Sequence, residues 1–208
     1  MIIKEVKKDK KHLNLLTLDN GDTVLLDRDT CIENSLYKNE EIDPDRLEEL
    51  KFQSEKTRAK SRALWYLDRQ DYTEKALYTK LLRAGFDKKA SASVLARLVE
   101  VGLVDDRRYA ERFAERCFDS NTSKRASLQK MLEKGVPYDL AKEVLDGFET
   151  DEEGQIKALL EKKYAYKLSQ PDGSKKVYAS LIRKGFSYGA VNKALKEYIS
   201  DNEFCEEY

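Results

Sequence analysis

Leu81-Leu82-Arg83-Ala84-Gly85-Phe86 returns as Met131-Leu132-Glu133-Lys134-Gly135-Val136 and again as Leu181-Ile182-Arg183-Lys184-Gly185-Phe186. The three glycines stand 50 residues apart both times. Tyr78, Leu128 and Tyr178 come seven residues before each glycine, and Leu95, Leu145 and Leu195 come ten after. A fixed period of this length marks a tandem array of one supersecondary unit. Each copy reads as an amphipathic helix, a glycine stop and a second helix, because glycine just past a helix end reaches φ > 0 without a Cβ penalty. Counting back 21 residues from each glycine finds Leu64, Ala114 and Tyr164, each inside a preceding helix. The unit is therefore three helices.

Outward from this stretch, the fold class is mainly α. We expect an elongated tandem array of three three-helix modules behind a small N-terminal β meander and a helix. The expected segments are a meander over 1–30, a linker and short helix over 31–55, modules over 56–104, 105–150 and 151–200, and an acidic tail over 201–208. Asn20-Gly21 between β-compatible runs predicts a hairpin with a type I′ turn. Asp43-Pro44 predicts one helix start with Leu47 and Leu50 on its apolar side, and a second helix is expected over about 54–69, burying Ala59, Ala63, Trp65, Tyr66 and Leu67 in some combination. Thr73, Asp87, Asp105 and Ser123 are the expected caps of later helices, Pro137 opens another and Thr150 precedes the next. Ser169-Gln170-Pro171-Asp172-Gly173 is the clearest turn, since proline and glycine both interrupt helix.

The 39 basic and 39 acidic residues cancel, but not locally. Residues 1–55 carry 9 basic and 14 acidic side chains, whereas 56–97 carry 11 and 4. The first module is thus the electropositive one, suited to an anionic partner. Cys31, Cys117 and Cys205 are too few and too scattered for a disulfide framework, which fits a reducing cytosol. Charge follows Met1-Ile2-Ile3 at once and no apolar run approaches the roughly 20 residues of a spanning helix. We expect a soluble cytoplasmic protein with no membrane partner.

Candidate chemistry is sparse. The one histidine, His12, lies in the meander without a second ligand nearby, so it reads as a surface residue and no metal is expected. No nucleophile elbow or phosphate-cradling loop occurs. Acid pairs such as Asp105-Asp106 and Glu152-Glu153 sit at helix starts, where they complement the helix dipole. Neither catalysis nor a cofactor is expected. The basic residues carry more. Arg58, Arg62 and Arg69 share one helical stripe, and Arg108, Arg112 and Arg116 another. Lys75, Lys80, Arg83, Lys88 and Lys89 add charge to the first module, with Tyr66, Tyr72, Tyr78 and Tyr109 among these cations. Such stripes bind phosphates and stack on bases. A solvated face pairing Glu111 with Arg107 or Arg108, and Glu115 with Arg112, accounts for a single stripe as well.

Val101-Gly102-Leu103-Val104-Asp105-Asp106-Arg107-Arg108-Tyr109-Ala110 resembles the signature of the RecX regulatory proteins. Ala63-Leu64-Trp65-Tyr66-Leu67-Asp68-Arg69, followed by Leu77-Tyr78-Thr79-Lys80-Leu81-Leu82-Arg83-Ala84-Gly85, is similar to the first module of that family. The resemblance covers about 57–200, with Asp105, Asp106 and Tyr109 beside the repeat glycines as its structural marks. It implies a tandem of three-helix bundles and a non-enzymatic regulator. Such a regulator binds RecA filaments on DNA and restrains filament growth, strand exchange and co-protease activity in DNA repair, recombination and the SOS response. Some proteins of that family also bind DNA, but they are often more basic than this chain of zero net charge, so we expect at most weak contact with single- or double-stranded DNA, and a monomer. The competing reading is a helical-repeat nucleic-acid-binding protein acting without RecA. Its candidate groove-reading helices, over 88–101, 138–147 and 188–199, are not strongly basic. A third reading is an adaptor that binds a peptide.

Overall fold

The computed structural model describes residues 1–9 and 12–203. The tail expected over 201–208 therefore lies mostly outside them, as does Cys205. The chain divides into two compact units, Met1–Asp105 and Asp106–Tyr208.

In the first unit, β1 (Ile3–Lys8), β2 (Leu13–Leu18) and β3 (Thr23–Asp27) form an antiparallel sheet in the order β1-β2-β3. Alternation decides its buried face: Leu16 and Leu18 on β2 and Val24 and Leu26 on β3 point inward. The hairpin differs from expectation. Only Gly21 takes positive φ (88°), and Leu18 N–H donates to the Asp22 carbonyl at 2.9 Å. The connection is thus a three-residue loop with glycine in the left-handed position, not a two-residue type I′ turn.

Helix α1 (Arg28–Glu33) follows, starting inside the stretch assigned to the meander. Asp27 caps it, accepting from Thr30 N–H at 2.9 Å and from the Thr30 hydroxyl at 2.5 Å. Burial alone raises the Asp27 pKa, but the Thr30 and Ser54 hydroxyls and nearby backbone N–H groups outweigh it and hold the carboxyl below its ordinary range.

The next element is one helix where two were expected. Helix α2 runs unbroken from Pro44 to Leu67. Its first half puts Leu47 and Leu50 into a cluster with Ile3, Leu16, Leu18, Leu26 and Ile42. Its second half puts Ala59 and Ala63 against α3 (Glu74–Arg83) and α4 (Lys88–Glu100), in a cluster with Leu77, Leu81, Val94, Leu98 and Val104. Ser54, fully buried between the halves, accepts the Asp27 N–H at 2.7 Å and so ties the sheet to the helix.

The second unit holds α5 (Asp106–Asp119), α6 (Lys124–Lys134) and α7 (Tyr138–Asp146) around Ala110, Ala114, Met131, Ala141 and Leu145. Then come α8 (Glu152–Leu159), a π turn (Leu160–Tyr164), α9 (Ala165–Leu168), α10 (Gly173–Arg183) and α11 (Tyr188–Glu203). These pack around Ile156, Leu160, Val177, Leu181 and Val191. Asp151, not Thr150, caps α8, accepting from Gly154 N–H at 2.8 Å. The π turn lets consecutive Leu159 and Leu160 both face the core, and buried Tyr164 shares a hydrogen bond with Ser180 at 2.9 Å.

Each repeat glycine closes a helix in the same way. Gly85, Gly135 and Gly185 have φ of 89°, 95° and 87°. Their N–H groups reach the carbonyls of Leu82, Leu132 and Ile182, while Phe86, Val136 and Phe186 donate to Leu81, Met131 and Leu181. That is the Schellman pattern, with its apolar contact across the stop. Leu81, Met131 and Leu181 are fully buried, an arrangement in which each such side chain contributes about 1.5–3 kcal/mol. Two further stops were hidden from the glycine pattern: Ser35 and Asn121 adopt φ of 53° and 51° after α1 and α5.

An acid on the first helix of a module reaches the start of the third. Glu55 accepts the Asp87 N–H at 2.6 Å, and Glu152 accepts the Ser187 N–H at 2.9 Å and its hydroxyl at 2.6 Å. In the middle module the matching residue is Pro137, which has no N–H to donate.

The Ser169–Gly173 turn is present, but its parts play other roles than expected. Asp172, rather than glycine, adopts the left-handed conformation (φ 57°). Gly173 opens α10 because a Cβ there would stand 2.0 Å from the Lys167 carbonyl oxygen.

Candidate partner-binding surface

Side chains on the second half of α2 divide by angle. Ala59 and Ala63 face the core, which leaves Arg62 and Trp65 facing outward three residues apart, with Arg69 in the turn just past the end of the helix. Trp65 was expected among the buried residues; it is 46% exposed, and Leu64 beside it 39%. The position marked by counting back from Gly85 is thus a surface position, and Ala63 takes the core place.

Around Trp65 the structure gathers several of the candidate cations. The Arg69 guanidinium stacks 3.5 Å from the ring centroid and donates to the Trp65 carbonyl at 2.9 Å. Arg62 approaches the same ring at 5.5 Å. Tyr66 meets Trp65 edge-on at 5.3 Å and Tyr72 at 6.1 Å. Lys80, from α3, lies over both tyrosines at 4.9 and 5.0 Å. Ring faces are electron-rich, so they hold these cations in place without neutralising them. The result is a platform of one indole and two phenols with Arg62, Arg69 and Lys80 over the rings, a basic surface able to attract an anion.

The other first-module candidates do not join this platform by any direct contact. Arg58 lies over Phe86 at 5.9 Å. Lys75, Arg83, Lys88 and Lys89 are exposed on α3 and α4. Lys88 and Lys89 open α4, where backbone N–H groups, that of Lys89 above all, draw the Asp87 carboxyl below its ordinary pKa.

Arg108, Arg112 and Arg116 belong to the second unit and are all exposed along α5. Arg116 lies over Phe113 at 5.7 Å and donates to the Arg112 carbonyl at 3.3 Å. Arg107 reaches across to Glu143 on α7 at 2.9 Å. Tyr109 stacks on Phe113 at 6.1 Å and packs against the core of its module.

Among the described residues no group of three or more His, Cys, Asp or Glu side chains is placed to hold a metal ion. His12 is exposed, and Cys31 and Cys117 are free and buried. Burial, foremost, raises the Cys31 thiol above its ordinary pKa. Among the described residues no helix is long and apolar enough to cross a membrane.

Comparison with known proteins gives a consistent result. Residues 59–98 match the first three-helix domain of RecX, and residues 151–195 match the third. The regulatory protein RecX of Streptococcus mutans serotype c is 30% identical over 204 residues, spanning 97% of this chain and 79% of the relative. The protein of the same description from Streptococcus equi subsp. zooepidemicus is 31% identical over 194 residues, spanning 90% of this chain and 73% of the relative. A crystal structure of regulatory protein RecX superposes with a TM-score of 0.68 at 23% identity, covering 94% of this chain and 98% of that one. A crystal structure of RecX from Lactobacillus salivarius gives 0.61 at 22% identity, covering 69% and 96%. At those identities the two structures speak to fold alone.

Proposed function

Because the chain belongs to the RecX family of regulatory proteins, we propose that it binds RecA filaments on DNA and inhibits their extension, and with it recombinase and co-protease activity. It acts by binding, without catalysis, as a cytoplasmic monomer in DNA repair, recombination and the SOS response. The observation that carries this reading is the similarity to regulatory relatives over nearly the whole length of the chain. The repeated fold supports it physically. Similar modules joined in one chain can engage successive subunits of a polymer, and once one is bound the others meet their sites at high effective concentration. We place the first-module cations and the Arg108 stripe toward the filament or its DNA.

The test is DNA-dependent ATP hydrolysis by the cognate RecA with this protein added. Hydrolysis should fall as filaments shorten, and unchanged hydrolysis at several-fold excess would sink the reading. A second reading, nucleic-acid binding independent of RecA, draws on the Trp65 platform with Arg62 and Arg69 over its indole ring. Tight binding to bare DNA at moderate salt, with a steep salt slope, would favour it.

A further inference from the structure

Between α2 and α4, the structure holds a groove of about 360 Å³ lined by Gln53, Lys56, Thr57, Lys60, Val94, Arg97 and Leu98. It is not the Trp65 platform. Lys60 and Arg62 are two residues apart, so they point about 160° away from each other around α2. Gln53, Lys56, Thr57 and Lys60 follow helical spacing and make one wall. Val94 and Leu98 make the floor, and Arg97 rises from the other side.

The chemistry of the lining selects the occupant. It contains three cations and no carboxylate. Arg97 pairs with Glu100 outside the groove at 3.0 Å, with both side chains well exposed. Such surface pairs contribute little and yield to a competing carboxylate. Lys56 and Lys60 lie one helical turn apart on the same face, with Cβ atoms about 6 Å from each other. The Arg97 fork suits bidentate contact with a carboxylate. Gln53 and Thr57 add neutral hydrogen-bonding groups, while Val94 and Leu98 beneath them are already buried in the core and close the bottom of the groove. No aromatic residue lines the groove, so it lacks the stacking surface that single-stranded nucleic acid uses. Its volume fits a few side chains and excludes a duplex.

We propose that the α2–α4 groove docks an acidic segment of a protein partner, with its carboxylates on Lys56, Lys60 and Arg97. The groove's own chemistry carries this; the filament reading is needed only to say whose segment it is.

The experiment uses the isotope-labelled full chain and the probe peptide acetyl-Glu-Leu-Glu-Glu-Leu-Glu-amide, followed by amide chemical shifts. Saturable shifts confined to 53–60 and 94–98 are expected. The double variant Lys56→Glu, Lys60→Glu should weaken them by about tenfold or more, with spectra elsewhere unchanged. The absence of saturable shifts would overturn the proposal. So would an oligothymidine probe that moves the same amides at lower concentration than the peptide. Co-sedimentation with preformed RecA–DNA filaments forms the second arm. Wild type that binds peptide in the groove but does not sediment overturns the filament reading alone. If wild type and the double variant sediment equally, the groove is not the filament contact.

Discussion

Gly85 and Gly185 share a backbone conformation but not a neighbourhood. A Cβ at Gly85 would meet nothing within 4 Å, whereas at Gly185 it would stand 2.8 Å from Ser123 Oγ and 3.2 Å from Arg125 Cβ. Ser123 cannot easily give way: its hydroxyl donates to the Lys184 carbonyl at 2.6 Å and accepts from Ala126 N–H at 3.2 Å. Gly85→Ala should therefore cost only the left-handed strain, about 1 kcal/mol, and Gly185→Ala about 2–3 kcal/mol. Urea unfolding of each variant measures the difference, and equal losses would refute the role given to Ser123. Ser91 makes the opposite case. Its repeat equivalents Ala141 and Val191 are apolar and fully buried, yet Ser91 Oγ is buried with no hydrogen-bond partner. An orphaned hydroxyl costs about 1–3 kcal/mol, so Ser91→Ala should stabilise the first unit by about 1 kcal/mol. A loss of that size would mean the hydroxyl finds a partner in solution. The repeat glycines were legible in the sequence because glycine takes the left-handed helix stop at least cost and recurs at a fixed period. The Ser123 latch and the Ser91 orphan were not, since each depends on what the fold brings alongside.

At the scale of elements, α2 decides how the first unit is built. Leu50 and Ala59 are nine residues apart, which puts them about 180° apart around the helix. One half buries one side against the sheet and the other half buries the opposite side against α3 and α4. The apolar stripe switches sides midway, so its periodicity cancels over the full length, and the sequence reads as two helices. The same geometry exposes Trp65, which local hydrophobicity had placed inside. Helix α2 thus couples two cores, and Leu50→Ala should show it. Deleting this buried side chain should cost about 2–5 kcal/mol. Amide exchange protection should fall together in β3 and in α4, the latter far from the substitution. Undiminished protection in α4 would mean that the two cores unfold separately. The Asp27 cap on α1 adds a pH signature, since its carboxylate accepts from the Thr30 N–H and hydroxyl. The fold holds the Asp27 carboxyl below its ordinary pKa, so it favours the ionised form. Its contribution is complete above the unfolded value of about 3.9 and is lost as pH falls through the folded value. Asp27→Asn should be less stable than wild type at neutral pH, and the gap should close on acidification. A gap constant down to the most acidic folded condition would assign the effect to packing alone.

For the whole molecule, neutral overall charge conceals a first module with two basic features on α2, the Trp65 platform and the α2–α4 groove. The regional charge excess was legible in the sequence; of the expected stripe Arg58, Arg62 and Arg69, only Arg62 and Arg69 meet at Trp65, while Arg58 lies over Phe86. Which cations cluster was not legible, because Lys80 reaches Tyr66 and Tyr72 from another helix and Arg97 meets Lys60 only across a groove. The chain has one tryptophan, and it stands at the centre of the platform. That makes the surface open to direct observation within a large assembly. Incorporated 5-fluorotryptophan gives a single fluorine resonance from this protein, whatever tryptophans a partner contains. Adding RecA filaments on DNA should broaden and shift that resonance, because docking replaces water at a half-exposed ring and slows its tumbling. Broadening alone reports binding anywhere on the chain, so the solvent isotope shift is the discriminating measurement. It should shrink if the ring is covered, since that shift reports water contact at the ring. An undiminished isotope shift on a broadened line would show that the filament binds elsewhere and leaves the platform facing water. Arg69→Ala provides the companion result. Losing this exposed cation beside the ring should weaken filament binding about fivefold to tenfold by removing charge from the docking surface, while leaving the fold intact.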